Sequence, residues 1–280
     1  MKKLMFVAAV AAAMTGLADV TSANVVGYLN KYTELGFNYN CNMFVACDKT
    51  KETMTIGDIK PDGDVFMYST IDFLNPDGTN HYLEEGPDAG KMESYLFIPA
   101  EYTGTGIEGW YHIDDGSGEG KCYNDRVIKL GEAYCVTCIE GEEGAAITYS
   151  GVVSDEETTF YLGLGFNYLG NCAPKTIGLG DITADGDVFM YSTIDFLNPD
   201  GTNHYLEEGP DAGKMESYIF IPEEYTGTGI EGWYHIDDGS GEGKCYNDRL
   251  IAAGDAFCVS CIEGEEGAAF VLPAALTKAE

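Results

Sequence analysis

The chain contains the same long stretch twice. Asp62 to Tyr95, DGDVFMYSTIDFLNPDGTNHYLEEGPDAGKMESY, recurs letter for letter as Asp185 to Tyr218. The register of that match extends upstream to Gly57-Asp58-Ile59 against Gly180-Asp181-Ile182, and downstream to Glu263–Ala269. Between Asp62 and Ile128 only the pairs Leu96/Ile219, Ala100/Glu223 and Val127/Leu250 differ. Further upstream, GFNY at Gly36 matches GFNY at Gly165, with six residues missing from the second copy. The sequence thus predicts two units of ordinary domain size. They span 24–153 and 158–273, joined by a short polar linker at 154–157. Both units must fold alike and present nearly the same surface twice.

Each unit reads as short strands separated by turn chemistry. Val65–Tyr68, Ser94–Ile98, Gly109–Ile113, Ala133–Ile139 and Ala146–Tyr149 are the predicted strands of the first unit. Between them lie Asn75-Pro-Asp-Gly, Gly86-Pro-Asp-Ala-Gly and Asp114-Asp-Gly-Ser-Gly-Glu-Gly. There proline fixes φ, glycine accepts positive φ and Asx side chains bond their own backbone. Glycine makes up 36 of 280 residues, nearly twice the usual share of roughly 7%. At most one helical turn is foreseen, near Met54–Ile59. The predicted class is all-β: two tandem homologous domains, each sandwich- or jelly-roll-like.

The chain opens MKKLMFVAAVAAAMTGLADV, with a positive n-region, a short apolar run and small residues near Gly16–Ala18. This is the pattern of a bacterial export signal over residues 1–18. No second apolar run is long enough to span a bilayer, and the tail at 274–280 carries no hydrophobic anchor. The expected location is secreted or cell-surface. A formal net charge of −32, from 15 Lys+Arg against 47 Asp+Glu, repels nucleic acid and anionic lipid. It suits divalent cations and basic partners.

Nine cysteines in an exported chain predict disulfides. The candidates are Cys41, Cys47, Cys122, Cys135 and Cys138 in the first unit, and Cys172, Cys245, Cys258 and Cys261 in the second. Sequence does not choose the pairing. The CVTC and CVSC pairs lie in strand-like stretches, where positions i and i+3 face opposite sides, so zinc ligation is excluded.

Other motifs are weighed by context. Gly104-Thr-Gly-Ile-Glu-Gly109 matches a dinucleotide fingerprint in letters only. A strand-like Trp-Tyr-His-Ile follows it instead of a helix. A calcium loop can be laid on the duplicated stretch using Asp72, Asn75, Asp77 and Glu84, and again using Asp195, Asn198, Asp200 and Glu207. Phe73 stands where the first ligand belongs, and the turn chemistry is complete without a metal. Calcium is the one cofactor considered. Trp110, Tyr111, Trp233 and Tyr234 are candidate stacking platforms for sugar rings, against the reading that they fill the core. His81, His112 and their copies lack any hydrolase or metalloprotease spacing. Asp114 and Asp115 form an acidic pair with no accompanying nucleophile, so no catalytic activity is expected.

The segment Thr21-Ser-Ala-Asn-Val-Val-Gly-Tyr28, followed in order by GFNY, a TIGDI-type segment, Gly-Trp, Gly-Glu-Ala-Tyr134 and Tyr149-Ser-Gly-Val-Val153, resembles a family of exported repeat proteins. These are uncharacterised in activity and come from planctomycete and verrucomicrobial bacteria. The second copy departs from the pattern at Phe257. The resemblance implies a surface or extracellular β protein and assigns no catalytic residue or substrate. The combined expectation is a structural or adhesive surface component, with self-assembly or surface glycans as partners; carbohydrate binding, one site per repeat, is the alternative. A VVGY strand with no counterpart before the second repeat is expected to complete a sheet in this chain or in a neighbour.

Overall fold

The computed structural model describes residues 26–32, 36–47, 51–62, 69–75, 79–138, 146–154, 156–185, 192–198, 202–261 and 269–273. The predicted signal segment, the tail and the strand at Val65–Tyr68 lie outside them. The described residues are strands and turns, with helix only as single 3₁₀ turns such as Ile56–Asp58 and Ala100–Tyr102. The all-β expectation holds.

Strands β1 (Val26–Tyr32), β2 (Gly36–Cys41), β3 (Met54–Thr55), β4 (Lys60–Asp62), β5 (Ser69–Phe73), β6 (Ser94–Ile98), β7 (Gly109–His112), β8 (Val127–Ile128), β9 (Ala133–Cys138) and β10 (Ala146–Val152) form the first repeat. They build an antiparallel five-stranded sheet in the order β2-β9-β5-β6-β7, a three-stranded sheet β1-β10-β4 and a short pair β3-β8. Strands β11 (Thr158–Tyr161) to β20 (Ala269–Leu272) repeat this scheme in order, including β12 (Gly165–Gly170), β17 (Gly232–His235) and β19 (Ala256–Cys261).

Alternation along the five-stranded sheet sends Ile71, Phe73, Tyr95, Phe97, Trp110, Tyr134 and Val136 to one face, where all are buried. The three-stranded sheet covers that face. In the second repeat Trp233 meets Phe270 of β20 edge-on, with centroids 5.8 Å apart. The opposite face carries polar residues. There the Asp72 carboxylate accepts hydroxyl protons from Thr70 at 2.9 Å, Thr137 at 2.6 Å and Ser94. Asp195 repeats this with Thr193, Ser260 and Ser217.

Two expectations are corrected. The second repeat does have a leading strand. β11 pairs with β20 as β1 pairs with β10, Tyr161 opposite Ala269 and Tyr32 opposite Ala146. Only the tyrosine survives in the sequence, because backbone pairing does not need the same side chains. The expected disulfides are not formed among the eight cysteines whose side chains are described, none of which stands at bonding distance from another; the side chain of Cys138 lies outside the description. Cys258 and Cys261 show why. Three residues apart on β19, they point to opposite faces, Cys258 beside Tyr168 and Cys261 3.1 Å from the Ser192 hydroxyl.

The missing six residues fall after β12. Asn42 and Asn171 are equivalent, each donating Nδ2 to the carbonyl of Ile128 or Ile251 at 3.0 Å. Met43 therefore matches Cys172, and Cys41 matches Gly170, so neither cysteine falls opposite a cysteine when the two repeats are aligned.

Candidate functional site

The repeats meet along β2 and β12. Tyr39 and Tyr168 stack with centroids 6.0 Å apart and an interplanar angle of 22°. The Cys41 amide donates to the Gly254 carbonyl at 3.0 Å. On the other side of the seam Phe160 packs so closely on Gly131 that a Cβ there would fall 2.0 Å from the ring, and Gly131 also holds φ at 74°. Only glycine satisfies both demands.

Two related clefts open along this seam. The first repeat's cleft, about 540 Å³, contains Asn75, His81, Arg126 and Glu132 and is closed by Asn167 and Tyr168 of the second repeat. The second repeat's cleft, about 280 Å³, contains Asn198, His204, Arg249 and Asp255 and is closed by Asn38 and Tyr39 of the first. Each repeat thus completes the other's cleft.

Behind the arginine of each cleft is a buried glutamate: Glu216 lines the second repeat's seam cleft, whereas Glu93 lines the outer cleft beside Lys121. Glu93 accepts from Arg126 Nε at 2.8 Å and Nη2 at 3.3 Å and from the Tyr95 hydroxyl at 3.0 Å. His81 Nδ1 lies 2.6 Å from its Oε2. Glu216 is held in the same way by Arg249, Tyr218 and His204. Burial would push the Glu93 carboxyl up; the Arg126 guanidinium and the Tyr95 hydroxyl outweigh it and hold it below the usual carboxylate range. Glu216 follows for the same reasons. The arginines also lie over aromatic rings, Arg126 3.6 Å from the Phe73 centroid and Arg249 4.1 Å from that of Phe196.

These shifts set a pH dependence. Asp58, Asp88 and Asp211 are depressed as well: burial raises them, and hydrogen bonds from Lys51 and Thr55, or from a tyrosine and a lysine, overcome it. A folded-state value below the unfolded one contributes stability above the unfolded pKa and loses it as pH falls through the folded value. Unfolded carboxylates titrate near ~4. Thermal unfolding followed from neutral pH downwards should hold its midpoint to about pH 5 and then fall. A midpoint that climbs steadily to about pH 3 would mean that relief of the chain's negative charge dominates instead.

Comparison with family models, curated proteins and solved structures finds no match. The geometry alone must therefore carry the reading of these clefts.

The residues singled out from sequence fall mostly elsewhere. Trp110, Tyr111, Trp233 and Tyr234 are all 0% exposed, so none offers a face to a sugar. Asp72 and Asp195 are engaged by their three hydroxyls. Asn75 closes its own turn, donating to Thr79 Oγ1 and the Asn80 carbonyl, both at 3.0 Å, and Asn198 does likewise. Glu84 and Glu207 are exposed and line outer clefts beside Lys121 and Lys244. Asp77 and Asp200 lie outside the described residues. Among the described residues no group of three potential ligands converges as a metal would need.

Several apparent motifs are structural. His112 places Nε2 2.9 Å from the Met92 carbonyl, and its Nδ1 accepts from the Asp114 amide. Asp115 staples its glycine loop through the Gly120 amide at 2.6 Å. The thiols of Cys135 and Cys258 are pushed up to about 12, and that of Cys172 to about 11, chiefly by burial. Such thiols carry little thiolate at neutral pH.

The glycine-rich segment before β7 is a braced loop. Asn124 Oδ1 accepts from the Trp110 amide at 2.9 Å, and its Nδ2 donates to the Glu108 carbonyl at 3.1 Å. A Cβ on Gly109 would lie 2.3 Å from that Oδ1. The buried Tyr111 donates its hydroxyl proton to the Ile107 carbonyl at 2.8 Å.

Sequence reasoning passed over the glutamate–arginine–histidine cluster. One signal was available: Arg126 and Arg249 are the only arginines in the chain, one per repeat at matching positions. In so acidic a chain, an arginine retained twice points to a buried carboxylate partner.

Proposed function

We propose that this is an exported, non-catalytic surface or matrix protein that binds or assembles through a duplicated apolar surface. The braced loop supports this reading. It presents Tyr102 and Ile107 to solvent at 59% and 54% exposure, and the second repeat presents Tyr225 and Ile230 at 57% and 53%. Large apolar side chains held out on a pre-ordered loop lose little entropy on binding. Presenting them twice on one chain gains avidity by effective concentration. The buried tryptophans withdraw the main support for the glycan alternative.

Light scattering and native mass spectrometry of the mature chain over a concentration series test the assembly form. Association should appear as concentration rises and weaken in an Ile107→Ser, Ile230→Ser double variant that keeps its fold. A strict monomer at high concentration, with or without calcium, refutes it.

A further inference from the structure

We infer that the first repeat's seam cleft is a binding site for an aromatic monocarboxylate, with the Lys129 ammonium as its anchor and the rings of the second repeat as its wall. The inference comes from where the two copies differ. They are almost identical from Asp62 to Ile128, and directly after that Lys129 and Leu130 of the first repeat give way to Ala252 and Ala253 of the second. Across the seam, Leu169 stands where the first repeat has Asn40, and Phe160 where it has Lys31. Lys129, Leu130, Phe160 and Leu169 all line the same cleft. Their divergence gives the chain one basic, ring-walled cleft, where identical repeats would give two alike.

The other polar groups of this cleft are engaged within the protein. Arg126 is held by Glu93 through Nε and by Glu132 through Nη1 and Nη2, at 2.8 to 3.0 Å. Glu132 also accepts from the Lys129 amide at 2.7 Å. His81 Nδ1 faces Glu93, and Asn167 donates to the Gly163 and Val259 carbonyls. Lys129 is exposed, and among the described residues its Nζ has no hydrogen-bond or ion-pair partner. It is therefore the charge on offer to a ligand, and a carboxylate is the group that an ammonium binds through charge-assisted hydrogen bonds.

The wall indicates what carries that carboxylate. Phe160 seats on Gly131, Tyr168 stacks on Tyr39, and Tyr161 stands at the rim with 79% exposure. Leu74, Leu130 and Leu169 extend the apolar lining. A planar apolar ring would cover Tyr161 and stack on it. The cleft's volume of about 540 Å³ falls within the roughly 300–1,000 Å³ of small-molecule sites, which favour domain interfaces. It has room for two fused rings. The chain's negative field repels anions at long range, which favours a singly charged ligand with apolar area to bury over a polyanion.

The probe is 2-naphthoate, with 2-naphthamide as the uncharged control and glucuronate as the acidic sugar, followed by calorimetry and NMR on the full chain. Wild type should bind one equivalent of 2-naphthoate, with 2-naphthamide about tenfold weaker or more and glucuronate weaker still. Lys129→Ala should weaken 2-naphthoate by about tenfold or more and leave 2-naphthamide unmoved. Tyr161→Ala should weaken both aromatic ligands by about fivefold. The fold accepts alanine at the first position, since the second repeat carries Ala252 there, and the second position is solvent-exposed. A cooperative thermal transition confirms folding, and if one variant fails to fold, the other decides. Absence of 2-naphthoate binding, equal binding of 2-naphthamide, tighter binding of glucuronate, or affinity unmoved by the folded variants would overturn the assignment. The outcome is independent of self-assembly, which the Ile107 and Ile230 pair reads separately.

Discussion

Glu93→Gln should destabilise the protein by about 3–5 kcal/mol, the cost of leaving a buried charge without its partner. The Glu93 side chain is 4% exposed and its Arg126 partner 18%, so neither end recovers much hydration when the pair breaks. The amide oxygen can still accept, but the amide cannot neutralise the guanidinium or replace both carboxylate oxygens in accepting from Tyr95 and Arg126. Glu132 remains on the far edge of Arg126 and should keep the loss toward the lower end. A double variant distinguishes charge from packing. Glu93→Gln with Arg126→Met removes both charges and keeps an apolar stem over Phe73, so it should recover part of the loss. Urea unfolding measures all three variants. If the double variant loses the sum of the two single losses, the residues are not coupled and the account of the buried cluster fails.

That cluster marks where sequence reading stops. The strands at Ser94–Ile98, Gly109–His112, Ala133–Cys138 and Ala146–Val152 were legible because alternating or continuous apolar residues sit between strong turn formers. The repeat frame was legible because it is written twice. β5 at Ser69–Phe73 was not, since its outward Thr70 and Asp72 make it look like a polar loop. The hydroxyl donors that engage Asp72 from outside the strand, Ser94 and Thr137, are its neighbours only in the sheet. β11 was hidden because Thr158–Tyr161 shares one residue with its counterpart. The seam clefts were invisible for a stronger reason. Each needs an edge strand from the other repeat, and no local pattern encodes that β2 and β12 will meet.

Trp110→Ala should cost about 3–5 kcal/mol, and Trp233→Ala a similar amount. Each indole is 0% exposed and meets a phenylalanine edge-on, Trp110 with Phe97 at 5.3 Å and Trp233 with Phe220 at 5.4 Å. Truncation removes those contacts and leaves a cavity between the two sheets that the strands cannot close. Loss of any binding activity in these variants would therefore report on folding. Tyr102→Ala is the appropriate surface control, since exposed substitutions of this kind usually stay within about 0.5 kcal/mol. The two rings are also the only tryptophans in the chain, one per repeat. Trp110→Phe leaves Trp233 as sole reporter of the second repeat, and Trp233→Phe does the converse. The seam joins the repeats through Tyr39, Tyr168 and the Cys41–Gly254 bond, so the two reporters should change emission at the same denaturant concentration, after allowance for each substitution's own cost. Transitions that separate in the two variants would show that the repeats unfold independently, and that the seam adds too little energy to hold a composite cleft closed.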